Sequence, residues 1–343
     1  MDVARLAGVS RTTVSLVLNN VPGIRISETT RQRVLDTAKE LNYHPDITGR
    51  KLVSGKSNAL GLVLHQTPEQ IFADALLPQV LMGIEQAITN LGYQVLVKLL
   101  EPDSKKGYMQ LINENHVDGI ILSGPHQKDT EIIRLHENGF PIILMGQFPG
   151  VDIPSVDIDA VAGAASAVQH LIDLGHQHIA IITNASLEFT SAQQRYSGYQ
   201  KAIREAGLEL DDVYLREGSY TPASGYAAMI DLLEETPLPS AVFVASDIVA
   251  LGAILAIKQK GYRVPEDIAV VGFDDIPFSE YFDPPLTSVR IPAYGLGLVA
   301  GDRLVRLVNL ENLNETNVLL ESELVIRQSS SGNSDKTQSS VNK

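Results

Sequence analysis

Arg11, Thr12, Ser15 and Leu16 stand on one side of the run R-T-T-V-S-L-V-L, with Val14, Val17 and Leu18 on the other. At helical spacing this is a short amphipathic helix whose apolar stripe turns inward. Its outward side then carries a guanidinium, two hydroxyls and one apolar side chain at the leading end, groups suited to the edges of a major groove. No G-x-S-x-G elbow, complete phosphate-binding G-x-x-x-x-G-K-[ST] loop or metal-ligand pair accompanies them, so the residues point to binding rather than to an enzyme. His176 and His178 share a helix-to-strand turn and do not suggest a metal. There is no cysteine, which excludes disulfides and thiolate chemistry. No cofactor is expected.

That helix needs neighbours to hold it. Ala4 is small enough for a first helix to cross closely, and Gly8 can turn at positive φ without a Cβ clash. Ser10 can cap the second helix by accepting a backbone N–H bond. A third helix follows, with Ser27 as its cap, Val34, Leu35, Ala38 and Leu41 as its buried face and Pro45 as its stop. Residues 1–45 therefore read as a helix-turn-helix domain, and the polar, glycine-containing stretch across 46–58 as a hinge or linker. Charge divides at the same place. Residues 1–60 hold nine Lys and Arg against five Asp and Glu, while the rest hold 18 against 36. A basic head on an acidic body suits a head that meets phosphate.

Beyond Ala59 apolar runs alternate with amphipathic stretches such as Ile84, Ala87, Ile88 and Leu91. The runs are A-L-G-L-V-L (59–64), Y-Q-V-L-V-K-L-L (93–100), G-I-I-L-S (119–123), P-I-I-L-M (141–145), H-I-A-I-I-T (178–183), A-V-F-V-A (241–245) and I-A-V-V-G-F (268–273). Such runs between helices indicate parallel sheets covered on both faces, and the length calls for two of them. The tail 329–343 is almost without apolar residues and is expected to be disordered. No run of transmembrane length and no export signal is read, so a membrane role is not expected.

The motifs together resemble the lactose-repressor (LacI/GalR) family of transcription regulators over nearly the whole chain. The head is similar through D-V-A-R-L-A-G-V-S-R-T-T-V-S and L-N-Y-H-P. The body is similar through H-L-I-D-L-G-H-Q-H-I-A, R-Y-S-G-Y, S-D-I-V-A-L-G-A-I, V-P-E-D-I-A-V-V-G-F-D-D-I-P and P-P-L-T-S-V-R. The resemblance implies a small all-α helix-turn-helix head plus an α/β body of two doubly wound parallel-sheet subdomains, as in periplasmic binding proteins. It implies three crossings, near Asp157–Val161, Ser288–Pro292 and Leu319–Ser322. These divide the body 59–328 into an N-subdomain (59–158 and 292–319) and a C-subdomain (159–290 and 321–328).

By the same resemblance Arg11 and Thr12 touch base edges, with Leu16 one turn later. Arg11 can bond guanine bidentately or grip phosphate. Ser10, Thr13, Ser15, Asn19, Ser27, Thr30 and Tyr43 match phosphate-holding positions, which set register rather than sequence. Leu52 matches a hinge leucine that wedges into the minor groove, or packs against its dimer mate. For a small-molecule effector the resemblance points to Asp274, just after I-A-V-V-G-F, and to Arg195 in R-Y-S-G-Y. The first can accept from two sugar hydroxyls or cap a helix; the second offers a planar fork of donors or forms a plain ion pair. Ser246, Tyr220, Ser191 and Asp159 are further candidates, and Asp275 and Asp247 read as structural. The implied partners are a near-palindromic double-stranded operator, a sugar or sugar derivative, and a second copy in a homodimer, in a bacterial cytoplasm at the nucleoid. The tail lacks the leucine heptads of a tetramerising helix.

The chain departs from the family pattern in places. Gly49 replaces the usual alanine, which weakens a hinge helix by about 0.5–1 kcal/mol. The Thr and Ile or Leu that usually precede D-V-A are missing, so a physiological start upstream of Met1 is expected. Leu76 and Leu77 replace an aromatic pair, and Ile291 replaces a glutamine, making the N-subdomain side of the pocket less aromatic and less polar. The body alone would also fit a sugar-transport protein, which the helix-turn-helix opposes, and purine sensors share the scaffold.

Overall fold

The computed structural model describes residues 2–18, 24–43, 57–100, 109–113, 116–126 and 129–331. The chain divides into two compact units, Met1–Ser57 and Asn58–Lys343.

The first unit holds α1 (Asp2–Leu6), α2 (Arg11–Leu18) and α3 (Glu28–Glu40). Val3, Ala7, Val14, Val17, Val34 and Ala38 form its core. Gly8 makes the turn at φ +64, where a side chain would be strained. Ser10 Oγ accepts from the Thr13 N–H at 3.0 Å, and Ser27 caps α3 by accepting from the Thr30 N–H at 3.3 Å, satisfying backbone donors that a helix start leaves free. The expected face of α3 needs correction. Leu35 and Leu41 are each 40% exposed, and Thr37 is buried in their stead. Its hydroxyl donates to the Arg33 carbonyl at 2.8 Å, so it can be buried without an unmet donor. Leu35 lies off the stripe of 34, 37 and 38, and Leu41 is already the C-cap. Asn19, Pro45, Gly49 and Leu52 lie outside the described residues, as does most of the 46–58 linker.

The second unit contains β1 (Ala59–Leu64), β2 (Gln94–Leu99), β3 (Gly119–Ser123), β4 (Ile142–Met145), β5 (Ser155–Ile158), β6 (Ile179–Ile182), β7 (Leu215–Arg216), β8 (Ala241–Val244), β9 (Ala269–Asp274), β10 (Thr287–Arg290), β11 (Asn317–Leu320) and β12 (Glu323–Val325). One sheet has the order β11-β5-β4-β3-β1-β2 and the other β12-β10-β9-β8-β6-β7. Every pairing in the first is parallel. In the second, only β12 runs antiparallel, against β10. The central strands β3, β6 and β8 are buried along most or all of their length, as parallel strands covered on both faces must be. Phe243 and Phe273 meet edge to face in the second sheet's core, 6.3 Å between centroids.

The chain passes from the first sheet to the second after β5, returns after β10 to run helix Ala293–Val308 and β11 on the first, and ends on the second with β12. Each crossing is a few residues long, which keeps the two layers as neighbours.

Part of the expected disordered tail is folded. Ser329 and Ser330 are buried. Ser329 Oγ donates to the Val270 carbonyl at 2.6 Å and accepts from the Thr287 N–H at 2.8 Å. Ser330 Oγ shares a 2.7 Å bond with Thr287 Oγ1. These hydroxyls are held by backbone and side chains of β9 and its neighbour, so the segment packs without apolar residues, which is why composition misread it. Among the described residues no helix is long and apolar enough to cross a membrane.

Candidate functional site

In both sheets the order reverses beside the first strand, and the carboxyl ends of the strands face a cleft between the layers, where doubly wound folds bind ligands. A cavity of about 200 Å³ lies there.

The second sheet supplies a polar wall. β9 ends on Asp274, whose backbone sits at φ +117, a conformation that costs a non-glycine residue about 1–3 kcal/mol and aims its carboxylate at the cleft. Asp274 Oδ2 accepts from Ser246 Oγ at 2.9 Å, and Oδ1 lies 3.3 Å from Arg195 Nη1. That same nitrogen donates to the Ala245 carbonyl at 2.5 Å, and the guanidinium lies over the Phe273 ring, 4.1 Å from its centroid. Arg195 Nε is buried with no hydrogen-bond partner among the described residues. Beside them Asn184 Nδ2 donates to Ser191 Oγ at 3.1 Å and to Tyr220 Oη at 2.9 Å, and the two hydroxyls lie 3.2 Å apart.

Behind this wall Asp247 is fully buried. It accepts from Ser279 Oγ (2.5 Å), Ser288 Oγ (2.6 Å) and the Ile276 N–H (3.0 Å). A Cβ on Gly272 would stand 2.1 Å from Asp247 Oδ1, so only glycine leaves room for this carboxylate. Burial pushes both Asp247 and Asp274 above the ordinary carboxylate range. Arg195 and Ser246 pull Asp274 part of the way back, and the Asp274 charge pushes Asp247 further up. Asp275 instead pairs with Arg290 Nε and Arg327 Nη1, each at 2.7 Å. Asp247 and Asp275 thus take the structural places expected of them.

The first sheet supplies a mostly apolar wall from Leu64, Leu76, Leu77, Val80, Met145 and Leu296, and Ile291 lines it as well. Its polar members are few. Asp74 Oδ1 accepts from the Leu76 and Leu77 N–H groups at 3.0 Å each. Burial lowers the pKa of His65, favouring its neutral ring. Asp157 carries a carboxylate oxygen, Oδ2, that is buried with no partner among the described residues. The walls touch through Gln70 Nε2 to the Ser219 carbonyl (3.3 Å), Thr190 Oγ1 to the Pro125 carbonyl (3.3 Å) and the His126–Glu188 pair (3.2 Å).

Of the residues expected around a ligand, Asp274, Arg195, Ser246, Tyr220 and Ser191 line this one cavity. Asp159 does not. It is exposed and caps helix Ala160–Asp173, accepting from the Ala162 N–H at 2.8 Å. A carboxylate one residue past a strand was as ready to cap as to bind, and capping prevails. The residues missed are Asp157, Gln194 and Asn184. Asn184 was within reach, since it follows the run I-A-I-I-T at a strand's carboxyl end.

In the head, Arg11, Thr12 and Ser15 are exposed and Leu16 is half-buried. Ser10 and Thr13 are tied to each other at 2.9 Å, and Ser27 donates to Thr30 Oγ1 at 2.8 Å, so the capping hydroxyls have fixed positions. Tyr43 is exposed.

Comparison with known proteins agrees with both halves. Residues 1–46 match the model for bacterial regulatory proteins of the lacI family, and residues 168–330 that for a periplasmic binding protein-like domain. The HTH-type transcriptional regulator CelR of Thermobifida fusca is 35% identical over 334 residues, covering 95% of this chain and 96% of its own. A CelR–cellobiose complex superimposes with a TM-score of 0.74 at 34% identity, over 95% of this chain and 98% of that one. The lac repressor dimer bound to operator and the anti-inducer ONPF gives 0.84 at 31% identity, over 96% and 97%. The chain is a DNA-binding transcription regulator rather than an enzyme, and it belongs to the lacI family of bacterial regulatory proteins.

Proposed function

We propose that this protein is a dimeric repressor whose affinity for a near-palindromic operator is set by a saccharide held in the cleft. Asp274, Arg195 and Ser246 form the anchor, with Ser191 and Tyr220 beside it. The observation that carries this reading is the Asp274–Arg195–Ser246 network: a strained carboxylate, a guanidinium with a donor to spare and a hydroxyl converge on one cavity. Carboxylate acceptors and guanidinium donors around hydroxyls are what a sugar requires. The cellobiose held by CelR supports the ligand class.

Arg11, Thr12 and Leu16 read bases, and Ser10, Thr13, Ser15, Asn19, Ser27, Thr30 and Tyr43 hold phosphates, with Leu52 as the minor-groove wedge. The lac repressor dimer on its operator supports two heads on a two-fold axis. The protein works in the cytoplasm, at the nucleoid when bound. The ligand acts by preferring one arrangement of the two body layers, and it shifts DNA binding only by its differential affinity for the two states.

Fluorescence anisotropy with DNA from upstream of the gene, at about 50 mM salt where phosphate contacts are strong, tests this. Tight binding that a saccharide such as cellobiose changes supports the reading. Indifference to that DNA with every saccharide tried removes it.

A further inference from the structure

Asp157 enters the cleft from the end of β5, on the wall opposite Asp274, and lines the same cavity. Burial raises its pKa to about 6, against the smaller lowering influence of the Ile158 backbone, the Arg195 charge and the Gln194 side chain. Its Oδ2 is shielded from solvent and has no partner among the described residues. A carboxylate oxygen left so is unfavourable until a donor reaches it. Among the described residues lining the cavity, Asp74, Asp157 and Asp274 face a single guanidinium, Arg195, already paired with Asp274. Burial lowers the pKa of His65, which favours its uncharged ring. The interior is therefore net negative.

We propose that Asp157 is a ligand-contacting and specificity-determining residue: its open oxygen takes a hydroxyl donor from an uncharged saccharide, and the three carboxylates together reject anionic sugars such as uronates and sugar phosphates. The inference rests on the saccharide reading above and adds the charge class. A hydroxyl supplies the missing donor, whereas a carboxylate or phosphate placed there meets like charge with one shared guanidinium to offset it.

Isothermal titration of the full-length protein with matched pairs tests this: glucose against glucuronate and glucose 6-phosphate, and cellobiose against cellobionate. The expected result is a neutral sugar that binds at least about tenfold tighter than its anionic counterpart. Asp157→Asn should weaken the neutral sugar by about tenfold and narrow that ratio, while melting no lower than the parent. An anionic sugar that binds as tightly as its neutral partner overturns the proposal, and this arm needs no variant. So does an Asp157→Asn protein with unchanged affinity and ratio. If no sugar of either charge binds, the saccharide reading itself falls and takes this inference with it, an outcome distinct from binding without charge selection.

Discussion

The two walls of the cleft are built on opposite plans. The wall from the second sheet holds two hydrogen-bonded polar clusters, Asp274 with Arg195 and Ser246, and Asn184 with Ser191 and Tyr220. The wall from the first sheet is mostly leucine, valine and methionine, with Asp74, His65 and Asp157 among its few polar members, and one Asp157 carboxylate oxygen has no partner among the described residues. The difference assigns labour. A pre-formed network orients a ligand, because its donors and acceptors are fixed before the ligand arrives. An apolar wall contributes affinity through the surface it removes from water, and it strengthens the polar contacts opposite by excluding solvent.

The comparison is broken most severely at Arg195. Arg195→Ala leaves Asp274 buried beside an empty volume and removes the charged donor of the polar wall. Sugar binding should weaken by about 2–5 kcal/mol, measured by titration with the sugar that binds the parent. A loss under tenfold would mean that the network is not the anchor.

The orphan carboxylate gives the next largest effect, on stability. Burial raises the pKa of Asp157 from 3.8 to about 6. The folded chain thus keeps a proton that the unfolded chain releases, and stability falls as pH rises from about 4 through about 6. Asp157→Asn removes that loss. The variant should gain on the parent with rising pH, by up to about 3 kcal/mol at pH 7, in urea unfolding at about pH 4 and 7. A constant difference between the two pH values would show the oxygen to be satisfied.

On the apolar wall, Leu77→Ala should weaken the same sugar by about 1–2 kcal/mol and leave the preference for neutral over anionic sugars untouched. A change in that preference would blur the division between the walls. The mildest change is Tyr220→Phe, which removes one hydroxyl shared by Asn184 and Ser191 and should cost about 0.5–1.5 kcal/mol of binding.

Legibility in the sequence follows the same contrast. The apolar runs marked β1 to β4, β6, β8 and β9, all inner strands except the edge strand β2. They missed S-V-D-I, L-R, T-S-V-R, N-V-L-L and E-L-V, where the segment is short or polar residues interrupt the pattern, and pairing with neighbours decides the strand. The polar wall was readable because its residues follow strand ends or sit in recognisable motifs. Asp157 was not, because an aspartate inside S-V-D-I-D looks like the cap beside it. Only the fold shows that Asp159 caps and Asp157 faces the cavity. In the head, spacing located α2 and both caps, but it could not tell Thr37 from Leu35. That choice turns on a hydroxyl returning its bond to the Arg33 carbonyl.

The central claim is that the cleft and the DNA-reading head share one equilibrium. It is tested most directly by measuring linkage in both directions. The operator dissociation constant is taken by anisotropy with and without saturating sugar, and the sugar dissociation constant by calorimetry with and without saturating operator. The account predicts that the two ratios are equal and differ from one, by about 5–150-fold, and that Arg195→Ala abolishes the effect of sugar while leaving operator binding in place. Two ratios of one, with both ligands bound, would contradict it.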